Sequence, residues 1–105
     1  MDWAERRAVM VERQIANRGL REPAILEAFR AVPREEFVPE SMREFAYDDG
    51  PLPIGEGQTI SQPYIVAVMI DAAEIGAHAK VLEVGAGSGY AAAVLSRLAG
   101  EVFAI

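Results

Sequence analysis

The chain contains no cysteine and only one histidine, His78. Without thiols it has no disulfide framework, no thiolate nucleophile and no cysteine-based metal site. That composition suits a reducing compartment, so the cytoplasm is the expected location. Long hydrophobic runs are also missing. The stretch Ile65–Ile70 falls far short of the roughly 20 residues that cross a bilayer. The N-terminal MDWAERRAVMVERQ is broken by charge too often to be a signal peptide. Nor is there an excess of positive charge: ten Lys and Arg face sixteen Asp and Glu, a formal net charge of -6. Such a chain offers no cationic footprint for a phosphate backbone. Neither nucleic acid nor a membrane is expected as a partner.

What is present is a globular composition, 51% apolar and 25% charged over 105 residues. A chain of this size buries roughly two thirds of its unfolded surface, enough for one compact domain and too little for a second independent one. Arg6, Arg7 and Arg13 alternate with Glu5 and Glu12, which reads as a solvated helical face with i,i+4-type pairing.

The spacing of Ala4, Ala8, Val11 and Ile15 predicts an amphipathic helix from Trp3 to Arg18, stopped by Gly19. Pro23 opens a second helix carrying Ile25, Leu26 and Phe29, which ends at Val32-Pro33, and a short helical turn follows around Arg34 to Phe37. From Pro39 to Pro63 the pattern is irregular and rich in turn residues, predicting loop and extended backbone. A long stretch of that kind inside a compact domain is usually functional or disordered, and its mixture of apolar and turn residues favours function. Pro63 then opens a helix to about Ile75, closed by Gly76 and apolar on most sides, hence expected to be largely buried. Lys80 to Val84 reads as a strand, Gly85 to Gly89 as a turn, Tyr90 to Ala99 as a helix and Glu101 to Ile105 as a second strand. Together these make a βαβ unit.

In VLEVGAGSGY the glycines at 85, 87 and 89 permit backbone angles and close approach that a Cβ forbids. A ligand can lie against the main chain there, facing the amides that begin the next helix, with Ser88 placed to cap that helix. The order is G-x-G-x-G rather than the G-x-G-x-x-G/A of dinucleotide sites, and Tyr90 stands where the last small residue would be. Glu83, two residues before the first glycine, is either a strand-end carboxylate satisfied by turn amides or a direct ligand contact. The arrangement resembles the first motif of class I methyltransferases.

A second set of motifs lies upstream. Val32-Pro33-Arg34-Glu35-Glu36-Phe37-Val38-Pro39, then Ala46-Tyr47-Asp48-Asp49, then Pro51 to Pro63 (PLPIGEGQTISQP) closely resemble the N-terminal portion of protein-L-isoaspartate O-methyltransferases, in matching order. The resemblance covers nearly the whole chain. It implies an α/β fold: N-terminal helices followed by the first βαβ unit of a Rossmann-like, doubly wound methyltransferase sheet, truncated after its second strand. The expected division is one partial domain, with helices and active-site loop in residues 1–62 and the start of the cofactor fold in 63–105. The implied reaction moves a methyl group from S-adenosyl-L-methionine to the α-carboxylate of isoaspartyl residues in damaged proteins, the first step of their repair.

Carried over by position, the resemblance makes Ser61 the active-site serine and places Thr59 with it against substrate. Ile60, Ser61, Tyr64, Glu83, Gly85, Ala86, Gly87, Ser88 and Gly89 fall at cofactor-pocket positions. No metal is implied. A carboxylate with a pKa of about 4 is already ionised at neutral pH, so methylating it requires alignment and exclusion of water rather than a general base. Ser61 also has a local reading as the N-cap of the helix opened by Pro63. Asp48, Asp49 and Glu56 are either turn-forming and solvated or substrate-facing. His78, in a linker before the strand, is expected to be an exposed loop residue.

The ribose-binding acid of the related pattern would come just after Ile105. Residues 1–105 alone are therefore expected to bind S-adenosyl-L-methionine weakly or not at all and to be inactive. A non-enzymatic piece that self-associates through unpaired strand edges at Val81–Val84 and Val102–Ile105 is the alternative of another class. A nicotinamide-dependent dehydrogenase is a third, disfavoured by the glycine spacing.

Overall fold

A computed structural model describes residues 1–105. Helix α1 (Trp3–Met10) begins at Asp2, whose carboxylate accepts the Glu5 N–H at 2.8 Å. It runs on through a π turn at Val11–Ile15 and a 3₁₀ turn at Ala16–Arg18, and Gly19 ends it with φ of +103°. The wider π turn shifts the apolar stripe. Met10, Val11, Ile15 and Ala16 are buried, whereas Ala4 and Ala8, expected on the same face, are exposed.

The expected pairing within this helix does not form. Arg7 instead reaches across the fold, bonding both Glu35 oxygens at 3.3 and 3.2 Å and the Tyr47 hydroxyl at 2.9 Å. Arg6 lies over the Trp3 ring, 5.1 Å from its centroid.

Helix α2 (Pro23–Ala31) begins with proline in its first turn and ends where Val32 turns extended ahead of Pro33. It buries Ile25, Leu26, Ala28 and Phe29. A 3₁₀ turn follows at Arg34–Phe37, as expected, and another at Glu40–Phe45, inside the stretch read as irregular. That stretch also holds a hairpin. Strands β1 (Leu52–Gly55) and β2 (Gln58–Ile60) pair antiparallel, with Leu52 opposite Ile60 and an irregularity between Pro53 and Gly55. Gly55, Glu56 and Gly57 all take positive φ at the tip. Pro53 has no N–H for the ladder, a defect that a two-stranded ribbon tolerates because each strand keeps a free edge.

Helix α3 (Pro63–Ala73) buries Pro63, Val66, Ala67 and Ile70, but Ile65, Val68 and Met69 are exposed. One face is buried, not most sides. Glu74, at φ +52°, ends the helix two residues before the expected Gly76. Strand β3 (Lys80–Glu83), helix α4 (Tyr90–Ser96) and strand β4 (Glu101–Ala104) form the expected βαβ unit, with Lys80 paired to Glu101 and Glu83 to Ala104 in a parallel ladder. Alternation along the strands turns Val81 and Val102 toward the core. Leu82 and Phe103 remain 62% and 56% exposed. The second face of this parallel pair is thus apolar and uncovered, unlike complete parallel sheets.

Tyr90, 1% exposed, joins the two halves of the chain. Phe29 and Phe37 meet its ring edge-on at centroid distances of 6.2 and 5.7 Å. The Tyr47 hydroxyl donates to Glu35, and Gln14 Nε2 donates to the Tyr47 carbonyl at 2.7 Å. Burial is the main cause that pushes the Tyr47 phenol up to about 12 and raises Tyr90 further. Above about pH 10 the unfolded chain loses these protons before the folded chain does. Stability should be unaffected by them below that pH and fall as pH rises toward 12. Urea unfolding midpoints at successive alkaline pH values test this; a flat profile would contradict it.

Candidate active site

The glycine turn carries the backbone angles its composition demands: φ is +77° at Gly85, +55° at Gly87 and +84° at Gly89. The N–H groups of Gly85 and Ala86 extend the parallel ladder by donating to the Ile105 carbonyl at 2.8 and 3.0 Å. Ser88 Oγ accepts the Tyr90 N–H at 3.2 Å, so that amide points at the serine rather than at a ligand, but the N-cap of α4 is Gly89 and no side chain caps the helix, contrary to the role expected of Ser88. Apart from its chain neighbours, no protein atom lies within 4 Å of where a Cβ on Gly85 would be, and a Cβ on Gly87 would sit 3.8 Å from Gln58 Oε1. The hairpin therefore comes up beside the turn.

The two regions enclose one cleft of about 100 Å³. Its walls include Thr59 and Ile60 from β2 and Ser61 just after it, Glu83 from the end of β3, and Gly85, Ala86, Gly87 and Ser88 from the glycine turn. An adjoining, more apolar cleft of about 440 Å³ shares Ser61, Glu83 and Gly85 and extends between α3 and β3 past Met69, Ile70, Val81 and Val84. Two residues expected at the pocket do not line either cleft. Tyr64 lies beneath the Arg18 guanidinium, 5.0 Å from its ring centroid, and Gly89 sits at the start of α4 in the left-handed conformation.

Glu83 is half-buried, and its Oε1 is buried with no hydrogen-bond partner. Desolvation by burial raises its pKa. Its carboxylate is therefore not satisfied by turn amides, the local alternative for this residue. Ser61 also fails its local reading. The N-cap of α3 is Gln62, and no side chain caps that helix. Ser61 is held by its carbonyl, which accepts from Arg34 Nη2 at 2.9 Å, leaving the side chain free of a capping role at the cleft.

The acidic residues of the loop separate. Asp49 accepts from Gln62 Nε2 at 2.8 Å and pairs with Arg18. The Gln62 hydrogen bond is the main cause holding its carboxyl below the usual range, with Arg18 adding to it. Asp48 is exposed, Glu56 forms the hairpin tip at φ +53°, and His78 is exposed. Sequence reasoning missed Val66, Ala91 and Tyr90 in the polar cleft wall, and Arg34 behind it. Tyr90 directly follows the third glycine, and Arg34 sits in the upstream motif, so both carried a positional signal.

The chain is 62% identical over 103 residues to protein-L-isoaspartate O-methyltransferase 1 of Rhodopseudomonas palustris (strain HaA2), covering 98% of this chain and 42% of that protein. It is 62% identical over 104 residues to the protein-L-isoaspartate O-methyltransferase of Methylorubrum extorquens (strain PA1), covering 99% of this chain and 46% of that one. The chain thus spans under half the length of these curated relatives. A solved protein-L-isoaspartate O-methyltransferase superposes with a TM-score of 0.75 at 31% identity, covering 96% of this chain and 33% of its own. A Plasmodium falciparum protein crystallised with S-adenosyl-L-homocysteine shares the fold at a TM-score of 0.74 and 24% identity, over 86% of this chain and 40% of that one. Residues 5–105 match the model of the protein-L-isoaspartate(D-aspartate) O-methyltransferase family, and the chain belongs to that family.

Proposed function

We propose that the full-length protein transfers a methyl group from S-adenosyl-L-methionine to the α-carboxylate of isoaspartyl residues in damaged proteins. The observation that carries this reading is the cleft in which the Ser61 segment meets the glycine turn beside an unsatisfied carboxylate, Glu83.

The residues fit that cofactor. An orphaned carboxylate suits a ligand carrying an ammonium and a sulfonium, whereas the pyrophosphate of a dinucleotide would set like charge beside it. When bound, S-adenosyl-L-methionine supplies a methyl group already activated on sulfur. Glu83 and the turn Gly85 to Ser88 would hold it, with Ile60 forming the floor and Gly89 shaping the turn. Thr59 and Ser61 would face the substrate. Ser61 Oγ donates a hydrogen bond that orients the substrate carboxylate without taking a proton from it, and no residue need act as a base. Held in this cleft, S-adenosyl-L-methionine would supply the methyl carbon to a carboxylate oxygen and keep, as a neutral thioether, the electron pair of the broken carbon–sulfur bond. The apolar walls around Val66 and Ile70 exclude competing water.

The test is a methyl-transfer assay on a peptide pair that differs only in isoaspartyl or aspartyl linkage. Labelling should favour the isoaspartyl peptide by at least about 100-fold, and Ser61→Ala should lower kcat by about 10- to 100-fold through lost alignment. Equal labelling of the two peptides would refute the reading.

Residues 1–105 on their own are, in this reading, one partial domain that lacks turnover, with 1–62 packed onto 63–105 through Tyr90. The uncovered Leu82 and Phe103 support self-association of that piece through β3 and β4. The absence of cysteine supports a cytoplasmic setting for the repair reaction.

A further inference from the structure

Arg34 is fully buried and has no acidic partner; the ion pairs of the chain are Arg7–Glu35, Arg18–Asp49 and Arg30–Glu27. Its charge is met by two carbonyls and a ring face. Nε donates to the Ala46 carbonyl at 2.6 Å, Nη2 donates to the Ser61 carbonyl at 2.9 Å, and the guanidinium carbon lies 4.7 Å from the Tyr90 ring centroid. Nη1 and the Tyr90 hydroxyl are both buried, and neither makes a hydrogen bond of good geometry. A buried cation without a counter-ion is a costly way to fill a core, and an apolar side chain of similar size would serve packing better. The placement points to a use other than packing.

The three contacts define that use. Ala46 lies before the hairpin, Ser61 ends it at the cleft, and Tyr90 opens the helix after the glycine turn. One planar group with fixed donor directions therefore sets the serine segment against the start of α4. The other tie on this segment, Asp49 to Gln62, lies in solvent, where such bonds hold weakly.

We propose that Arg34 is a positioning residue for methyl transfer: by gripping the Ser61 carbonyl while stacking on Tyr90, it fixes the separation between the serine hydroxyl and the glycine turn. The inference rests on the methyl-transfer reading above. Because alignment of oxygen, carbon and sulfur limits such a reaction, a displacement of about 1 Å costs on the order of 100-fold in rate.

The experiment compares the full-length protein with Arg34→Met and Arg34→Lys, measuring kcat, KM for an isoaspartyl peptide and the Kd for S-adenosyl-L-homocysteine. Arg34→Met should lower kcat by about 30-fold or more with KM and Kd within about threefold, and Arg34→Lys, which keeps the charge and can reach one carbonyl, should recover about a third of the logarithmic loss. A kcat for Arg34→Met within threefold of the parent, or a Lys variant no better than Met, overturns the proposal. If the variants do not fold, the parent decides. The Arg34 Nε–H resonance should shift when the isoaspartyl peptide joins the S-adenosyl-L-homocysteine complex, and a resonance that does not move overturns the proposal. Failure of the parent to methylate the isoaspartyl peptide overturns the reading of function and this proposal together, whereas an active parent with an unaffected Arg34→Met overturns this proposal alone.

Discussion

Replacing Gly85 with valine should weaken binding of S-adenosyl-L-homocysteine to the full-length protein by 100-fold or more, about 2.7 kcal/mol, while leaving it folded. Two properties of the position combine. Its φ of +77° is left-handed, which costs an L-residue roughly 1–2 kcal/mol and more for a β-branched one. That is a fraction of the roughly 5–15 kcal/mol that keeps a domain folded. The larger effect is spatial. The space where a Cβ would go is empty of protein atoms, and Gly85 lines both clefts. The valine methyls would therefore enter the volume assigned to the ligand. Titration calorimetry measures the loss, with circular dichroism as the control for folding. A Kd within tenfold of the parent would mean that the ligand does not lie against this turn.

Truncating Phe29 to alanine should produce the largest loss of stability, roughly 3–5 kcal/mol. Phe29 is fully buried and meets the Tyr90 ring edge-on at 6.2 Å, so its removal opens a cavity between α2 and α4 and discards an aromatic pair. The cost reaches the site because Phe29 and Phe37 are what hold Tyr90, and Tyr90 begins the helix that follows the glycines. Urea unfolding of the variant measures it. A loss below about 1 kcal/mol would show that the helical half and the βαβ half are only loosely joined.

Elements marked by punctuation residues were legible in the sequence. Gly19, Pro23, Val32-Pro33 and the glycines at 85, 87 and 89 sit at or beside the observed boundaries because φ preference and a missing N–H act locally. The hairpin was not legible. Each strand is too short to show a periodic pattern, and Pro53 argues against strand by every local rule although a two-stranded ribbon accepts it. The helical stretch Trp3–Arg18 kept its length, but the π turn at Val11–Ile15 moved the buried face away from the three- and four-residue spacing of Ala4 and Ala8.

The candidate site shows the same division. Thr59 to Ser61, Glu83 and Gly85 to Ser88 were named from motifs, and the fold brings them around one cleft. Local chemistry misled where a distant partner intervened. Arg7 left its helical neighbours for Glu35 and Tyr47, and Ser61 gave up the cap position while Arg34 held its carbonyl. Tyr64, adjacent in sequence to the site, turned instead toward Arg18. Contacts between residues far apart in the chain leave no local trace in periodicity or capping pattern, and these are the ones that position the cleft.

The claim at the centre of this account is that the Ser61 segment and the glycine turn together form the cofactor site. It is tested most directly by recording backbone amide shifts of the isotope-labelled full-length protein during titration with S-adenosyl-L-homocysteine. The account predicts the largest changes at Thr59, Ile60 and Ser61 and from Glu83 to Tyr90, with both groups saturating at one Kd. Changes confined to one of the two segments, or centred elsewhere such as the surface around Arg6, Arg13 and Glu44, would contradict it.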